Sequence, residues 1–270
     1  MRVAYTFNGL TGGLVGKNYQ HTGQDDQPYI IRLVHHYINE NILKHNDNVD
    51  FFIFSCQPEQ EDLFKELYKP KKSKFQKQIK FELPQHLLND TNNYNRQQAH
   101  YSRWYGFKEV MKLKTEYEKE NNFTYDLVIN VRMDILWNEV IKFDMLDTKK
   151  IHLAKCINRP YGWGSGVKEN EVLDHIFAMS SYKIDKLSEM YDWLDIYTSP
   201  GQCPQWNSIS HHFLTPWHLN SLGYLDKDTI EFPFGVVHDE EHTKDNAGQY
   251  SILRFRNLTI DKIKEITNES

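Results

Sequence analysis

The residues best suited to chemistry stand directly after an apolar run near the middle of the chain. Residues 125–131 read Tyr-Asp-Leu-Val-Ile-Asn-Val, and Arg132, Met133 and Asp134 follow without a break. The run predicts a buried strand, and in open α/β sheets ligands bind beyond the carboxyl ends of the strands. There a guanidinium can neutralise a phosphate, and a carboxylate can hold a divalent cation. The plainer alternative is an ion pair between Arg132 and Asp134 that closes the end of the strand.

A glycine-rich segment is the second candidate for phosphate binding. From Asn8 and Gly9 to Lys17 the chain carries four glycines, whose backbone amides can wrap a phosphate that a lysine then reaches. The match to a Walker A motif is incomplete, because Thr11 stands where the first glycine is required and Asn18 where a Ser or Thr would contact Mg²⁺. A flexible turn after the first predicted strand is the alternative.

The composition excludes several classes of protein. A formal net charge of −5 argues against binding along a nucleic-acid backbone, which needs an excess of Lys and Arg. Cys56, Cys156 and Cys203 are too few and too scattered for a disulfide framework or a cysteine zinc site. We find neither a signal peptide nor an apolar run long enough to cross a bilayer, and therefore expect a cytoplasmic protein without a membrane segment.

The hydrophobic pattern predicts an α/β fold with a mostly parallel central sheet flanked by helices. In the first half, strands and helices alternate, with strands at 3–7, 49–55, 79–83 and 125–131 and helices at 28–44, 59–67 and 98–120. The second half is a less regular α+β completion, with strands at 150–154, 175–179 and 230–237 and helices at 182–197 and 205–222. The basic run at 69–74 is interpreted as a solvated loop. Without a repeat or a linker, we expect one domain.

From residue 101 onward the sequence resembles a group of glycosyltransferase-like proteins. Residues 101–105 (Tyr-Ser-Arg-Trp-Tyr), a long Lys/Glu-rich helix and residues 125–134 follow their pattern of a helix and then YDxVIxxRxD. Such proteins are similar to the GT-A fold, in which a Rossmann-like first half binds a nucleotide sugar. The resemblance implies one GT-A-like domain, with residues 1–137 as the nucleotide-sugar-binding half and 138–270 as the acceptor-binding half.

The resemblance also implies a metal ion, although the motif departs from the usual one. GT-A proteins offer two carboxylates as Asp-x-Asp, whereas this chain has Arg132 and Asp134. Either Asp134 anchors Mn²⁺ or Mg²⁺ with a distant second ligand, or Arg132 supplies the positive charge instead. We favour the first. The late histidine that the resemblance implies is His238, with Asp239 in reserve, and a solvated charged turn is the alternative.

Other side chains could take part in such a reaction. Arg103 could reach the diphosphate, and Asp174 could deprotonate an acceptor hydroxyl if the reaction inverts the anomeric centre. Trp163 and Trp206 could stack on sugar rings in an acceptor cleft. The plain alternative for Arg103 is an ion-paired arginine on a helix, and for Asp174 it is a helix or strand cap. The two tryptophans could simply belong to the core. GT-A proteins seat the nucleotide beside their first strand, so the glycine-rich segment could contribute to the same site.

The sequence therefore predicts an enzyme that transfers a sugar from a nucleotide-diphosphate sugar to a hydroxyl acceptor on a glycan or related molecule. Two alternatives stay open: a catalytically silent nucleotide- or glycan-binding module, and another phosphate-donor transferase, such as a sulfotransferase. The transferase interpretation depends on the Asp134 carboxylate opening into a pocket. A buried ion pair at this position would remove that basis.

Overall fold

The computed structural model describes residues 1–12, 14, 26–88, 94–157, 172–202, 211–224, 229–237, 248–253, 256 and 258–268. Within these ranges the strands are β1 (Val3–Gly9), β2 (Val49–Ser55), β3 (Lys72–Phe75), β4 (Leu127–Arg132), β5 (Ile135–Trp137), β6 (Ile151–Cys156), β7 (Leu173–Met179), β8 (Ile230–Val236) and β9 (Tyr250–Ile252). The helices are α1 (Gln27–Asn41), α2 (Glu61–Tyr68), α3 (Gln85–Leu88), α4 (Tyr94–Asn121), α5 (Ser181–Ser188), α6 (Met190–Tyr197), α7 (His211–Ser221) and α8 (Ile260–Thr267).

Seven strands form one mostly parallel sheet, in the order β3-β2-β1-β4-β7-β6-β8. β1 runs parallel to β2 and β4, whereas β7 runs antiparallel to both of its neighbours. The carboxyl ends of β1, β2 and β4 therefore lie at one edge, and β7 begins there. β5 and β9 form a separate two-stranded antiparallel sheet. The predicted α/β class is confirmed, and the architecture is compatible with a Rossmann-like fold.

The sheet is covered on both faces, as its apolar strands require. Alternate residues of a strand point to opposite faces, and in β1 Tyr5 and Phe7 join one core cluster while Ala4 joins the other. The first cluster includes residues of α1, α8, β5 and β9, with the fully buried Trp137 among them. The second includes residues of α4 to α7 around Trp104. No helix within the described ranges is both long and apolar enough to cross a bilayer.

Most of the predicted elements of the first half are confirmed, but the third strand was misplaced. The structure has no strand at 79–83, where the Gln98 side chain instead bonds the backbone N–H and carbonyl of Phe81, both at 2.8 Å. The edge strand on this side of the sheet is β3, which overlaps the basic run 69–74 that the sequence analysis interprets as a loop. Lys72 and Lys74 reach Glu120 and Glu109 of α4, and lysines are common on exposed sheet edges.

The second half follows the prediction less closely. The helix predicted at 182–197 is two helices, α5 and α6, which meet at Glu189. The helix predicted at 205–222 is confirmed as α7 within its described part. The short strands β5 and β9 and the helix α8 were not predicted. Strands of three residues carry too few positions for an alternating pattern to be recognised.

A buried lysine joins α4 to α5 and to the start of β4. The Lys114 side chain is fully buried, and its ammonium contacts Glu118, Ser181 and Asp185. The Lys114 Nζ atom lies 2.9 Å from carboxylate oxygens of both Glu118 and Asp185. Glu118 also accepts a hydrogen bond of 2.8 Å from the backbone N–H of Tyr125. One ammonium therefore compensates two carboxylates at this junction.

We expect Lys114→Met to lower the free energy of unfolding by about 3–5 kcal/mol, because it leaves the buried Glu118 carboxylate and the partly buried Asp185 carboxylate without a counter-charge. Urea unfolding measures this loss. Burial raises the pKa of Asp185, so the loss should shrink as the pH is lowered and the Asp185 carboxyl group of the variant takes up a proton.

The matched control is Lys108→Met on the same helix. Lys108 pairs with Asp192, and both side chains are largely exposed, so this substitution should change the free energy of unfolding by only about 0–1 kcal/mol. Equal effects of the two substitutions would contradict a structural role for the buried lysine.

Candidate functional site

Four charged side chains meet at the sheet edge where β1 and β4 end and β7 begins. Arg132 ends β4, and its backbone pairs in register with Asn8 of β1. Asp174 is the second residue of β7, which starts at the same edge because it is antiparallel to β4. Arg103 comes from the first half of α4. Arg103, Arg132, Asp134 and Asp174 are here called the rim cluster, and their predicted position beyond a central strand is confirmed for Arg132 and Asp134.

Arg132 and Asp134 form a two-pronged ion pair. The Arg132 Nε atom lies 2.9 Å from Asp134 Oδ1, and Nη2 lies 2.6 Å from Oδ2. The Asp134 side chain is only 5% exposed and that of Arg132 18%. The ion-pair alternative therefore describes this structure, and the expectation that Asp134 presents a free carboxylate is wrong for this arrangement.

The metal that the resemblance implies does not fit this arrangement of Asp134. Both of its oxygens accept hydrogen bonds from Arg132, so Mn²⁺ or Mg²⁺ at this carboxylate would have to displace the guanidinium. Among the described residues, no group of three or more His, Cys, Asp or Glu side chains is arranged to hold a metal ion. The second expected ligand, His238, and its reserve, Asp239, lie outside the described ranges.

Arg103 is held differently from Arg132, because its hydrogen-bond acceptors are neutral. Its Nη1 atom donates to the Asn8 amide oxygen at 2.6 Å, and Nη2 donates to the Asn130 amide oxygen at 3.1 Å and the Asp174 carbonyl at 3.0 Å. The Arg103 Nε atom makes no hydrogen bond. Burial lowers the pKa of Arg103 to about 10, so the side chain stays charged at neutral pH.

Asp174 stands between the two arginines without a close bond to either. One carboxylate oxygen lies 3.6 Å from Arg103 Nε, and the other lies 4.0 Å from Arg132 Nη1. Burial alone would raise the pKa of Asp174, but the positive charge nearby, including that of Arg132, holds this pKa well below its usual value. A carboxylate with so low a pKa is a weak general base. The base role expected for Asp174 therefore requires a change in its surroundings.

Two asparagines set the position of Arg103. Asn130 lies fully buried in β4 and donates to Asn8 Oδ1 and Thr6 Oγ1, both at 2.9 Å. Asn8 in turn donates to the Arg103 carbonyl at 3.1 Å. Asn8, expected at the nucleotide, thus bonds directly to Arg103. Asn130 was not singled out, although a polar residue inside an apolar strand was a signal for it.

Only the beginning of the glycine-rich segment lies within the described ranges. Gly9 has a φ of +108°, which side chains with a Cβ rarely adopt. The Gly9 carbonyl accepts one hydrogen bond of 3.2 Å from the backbone N–H of Cys56 and another of 3.2 Å from the Ser55 hydroxyl. The Gln57 side-chain oxygen accepts a hydrogen bond of 2.8 Å from the backbone N–H of Thr11. These bonds hold the start of the segment against the end of β2.

Three further expected site residues, Lys17, Trp163 and Trp206, lie outside the described ranges.

Several histidines lie near Asp174. The His175 Nδ1 atom lies 2.8 Å from the Tyr250 hydroxyl, and His212 Nδ1 lies 3.0 Å from the Val172 carbonyl. The ring centres of His100 and His211 are 3.8 Å apart. Burial lowers the pKa of His211 to about 3 and that of His100 well below its usual value. These two imidazoles are neutral at physiological pH.

The comparisons with known proteins add no relative. No protein-family model matches the chain, and no curated protein is significantly similar to it. The geometry of the rim cluster therefore carries the functional conclusion.

The neutral state of His211 has a consequence for stability. The unfolded state takes up a proton as the pH falls below about 6.5, whereas folded His211 does not, so acid favours unfolding. We expect His211→Gln to reduce the pH dependence of the free energy of unfolding by about 1.4 kcal/mol per pH unit between about pH 6 and about pH 5. Urea unfolding at each pH measures it.

His45→Gln, at an exposed histidine, is the control for the effect of exchanging a histidine for a glutamine. Identical slopes for wild type and His211→Gln would contradict the burial of a neutral imidazole at this position.

Proposed function

We propose that the chain is a glycosyltransferase that transfers a sugar from a nucleotide-diphosphate donor to a hydroxyl acceptor, with Arg103 as the principal diphosphate ligand. The mostly parallel sheet and the position of Arg132 and Asp134 beyond its central strand agree with the GT-A resemblance. The buried Arg132–Asp134 pair removes the support that a free Asp134 carboxylate would have given. The proposal therefore rests on Arg103, a buried cation whose hydrogen bonds all go to neutral oxygens.

The charge balance at the rim cluster explains why Arg103 is the favoured ligand. The two guanidiniums and two carboxylates sum to zero, so the cluster as a whole does not attract an anion. Arg132 already has a carboxylate partner at 2.6 Å, whereas the nearest carboxylate to Arg103 lies at 3.6 Å. A diphosphate oxygen would offer Arg103 a closer charged partner than the Asp174 carboxylate.

In the proposed reaction, the acceptor oxygen forms a bond to the anomeric carbon while the bond from that carbon to the diphosphate oxygen breaks. Negative charge grows on the departing diphosphate, and fixed guanidiniums stabilise such charge. Arg103 stabilises the charge of the diphosphate directly, and Arg132 adds to this stabilisation from the other side of Asp174. This differs from the second mechanism considered from the sequence, in which Arg132 supplies the charge, because Arg103 now has the principal role. No step requires a metal at Asp134.

Donor binding also changes the chemistry of Asp174. A diphosphate bound to the two guanidiniums screens their charge from Asp174 and adds negative charge nearby, and both effects raise the pKa of a carboxyl group. Asp174 then becomes a better base, and in an inverting transfer it accepts the proton of the acceptor hydroxyl. The base becomes active only after the donor has bound.

One observation favours a second candidate, a catalytically silent nucleotide-binding module. The closed Arg132–Asp134 pair leaves no acidic side chain free in the motif where the resemblance implies a metal ligand. A silent module would bind nucleotide sugars at Arg103 without turning them over. Turnover of the bound donor therefore separates the two candidates.

We expect wild-type protein to bind UDP or GDP in calorimetry, both with EDTA and with Mn²⁺. Arg103→Lys keeps the charge but removes the forked donor set, and should weaken binding on the order of 10- to 100-fold. The release of free nucleotide from UDP- and GDP-sugars, with and without glycan acceptors, then reports turnover.

Lys108→Met, on the same helix but in an exposed ion pair, is the control and should leave binding unchanged. Absence of any nucleotide binding by folded wild type would overturn both candidates. Binding that requires Mn²⁺ and is unchanged by Arg103→Lys would support the metal mechanism instead. Tight binding without turnover would support the silent module.

A further inference from the structure

Unpartnered polar atoms gather beside the rim cluster. Among the described residues, nine buried side-chain nitrogen or oxygen atoms have no hydrogen-bond partner. Five of them lie on the first half of α4 or at the start of α7, and they belong to Gln97, His100, Arg103, Trp104 and His211. Buried polar groups are nearly always bonded to protein, water or a ligand. A water molecule or a ligand beside these side chains would satisfy the unpartnered atoms.

The unpartnered side chains share one location. Gln97, His100 and Trp104 follow a spacing that puts them on one face of α4. The His211 ring centre lies 3.8 Å from that of His100 and 5.9 Å from that of Trp104. Gln97, His100 and Trp104 are 2%, 4% and 0% exposed. We call Gln97, His100, Trp104 and His211 the α4–α7 polar group.

This group adjoins the proposed diphosphate ligand. The Arg103 guanidinium carbon lies 5.9 Å from the Trp104 ring centre, and Arg103 is next to Trp104 in sequence. A ligand portion that contacts the α4–α7 polar group would therefore lie within a few ångströms of a diphosphate held by Arg103.

The hydrogen-bonding character of the group favours a neutral ligand rich in hydroxyls. The neutral imidazoles of His100 and His211 each have one donor and one acceptor nitrogen, the Trp104 indole donates, and the free Gln97 oxygen accepts. Hydroxyl groups both donate and accept, so they match such a mixture. A second anion does not match, since neither imidazole is protonated at neutral pH.

We propose that the α4–α7 polar group binds the hydroxyls of the donor sugar. This proposal rests on the proposed function, because it takes the diphosphate of the same donor to lie at Arg103. The group selects nucleotide sugars over free nucleotides, and Trp104 and Gln97 are specificity-determining residues.

The test compares nucleotides with and without the sugar. Wild type, Trp104→Phe and Gln97→Met are titrated with UDP, GDP and a panel of UDP- and GDP-linked hexoses. Trp104→Phe removes the indole N–H and keeps an aromatic ring. We expect each variant to bind free UDP or GDP within about twofold of wild type, and the preferred nucleotide sugar about tenfold more weakly. Trp193→Phe, at a tryptophan that is 44% exposed on α6, should alter neither affinity.

Each other outcome overturns the proposal in a distinguishable way. If wild type binds no nucleotide, the proposed function fails and this inference fails with it. If wild type binds nucleotides but the variants affect free nucleotide and nucleotide sugar alike, the sugar assignment alone fails. If the two variants lower the melting temperature of the ligand-free protein and leave both affinities unchanged, the occupant is buried water. Gln97→Met keeps the test valid should Trp104→Phe not fold.

Discussion

A balanced set of buried charges lies at the edge of the sheet where we propose that the donor binds. Two guanidiniums and two carboxylates meet where β1, β4 and β7 converge, and removal of any one would leave a charge uncompensated in a poorly solvated place. Such an imbalance is costly, because the interior offers little solvation in return. The side chains around the cluster are therefore constrained by its neutrality. In the proposed function, a diphosphate that binds here changes the pairing of these charges.

The fold supplies these charges from three places: α4, the end of β4 with the turn after it, and the start of β7. The antiparallel direction of β7 brings Asp174 to the edge where the parallel strands end. The long helix α4 lies against β1 and β2, and a Cβ at Gly106 would meet the Asn8 amide at 3.2 Å. That close approach lets Asn8 bond both to the backbone and to the side chain of Arg103. Lys114, further along the same helix, bonds to Ser181 and Asp185 and so joins α4 to α5.

The sequence predicted the position of the site where a long apolar run ends abruptly in charged residues. The apolar run at 125–131 located the central strand, and the two charges after it located the edge of the sheet. The pattern could not decide whether Arg132 and Asp134 bind each other or a ligand, because that depends on side-chain directions and not on spacing. Asp174 and Arg103 were proposed separately, but their approach within 4 Å of one another arises from strand order. His100 and His211 are 111 positions apart in the sequence, so no local pattern could pair them. The edge strand β3 was missed since its lysines are typical of loops as well.

A crystal structure of the chain with UDP or GDP, whichever it binds, tests the central claim most directly. We expect the diphosphate to lie within hydrogen-bond distance of Arg103, with the Asp174 carboxylate farther from both guanidiniums than it is without ligand. A nucleotide bound elsewhere, with all four side chains of the rim cluster unmoved, would contradict the assignment of this edge as the donor site.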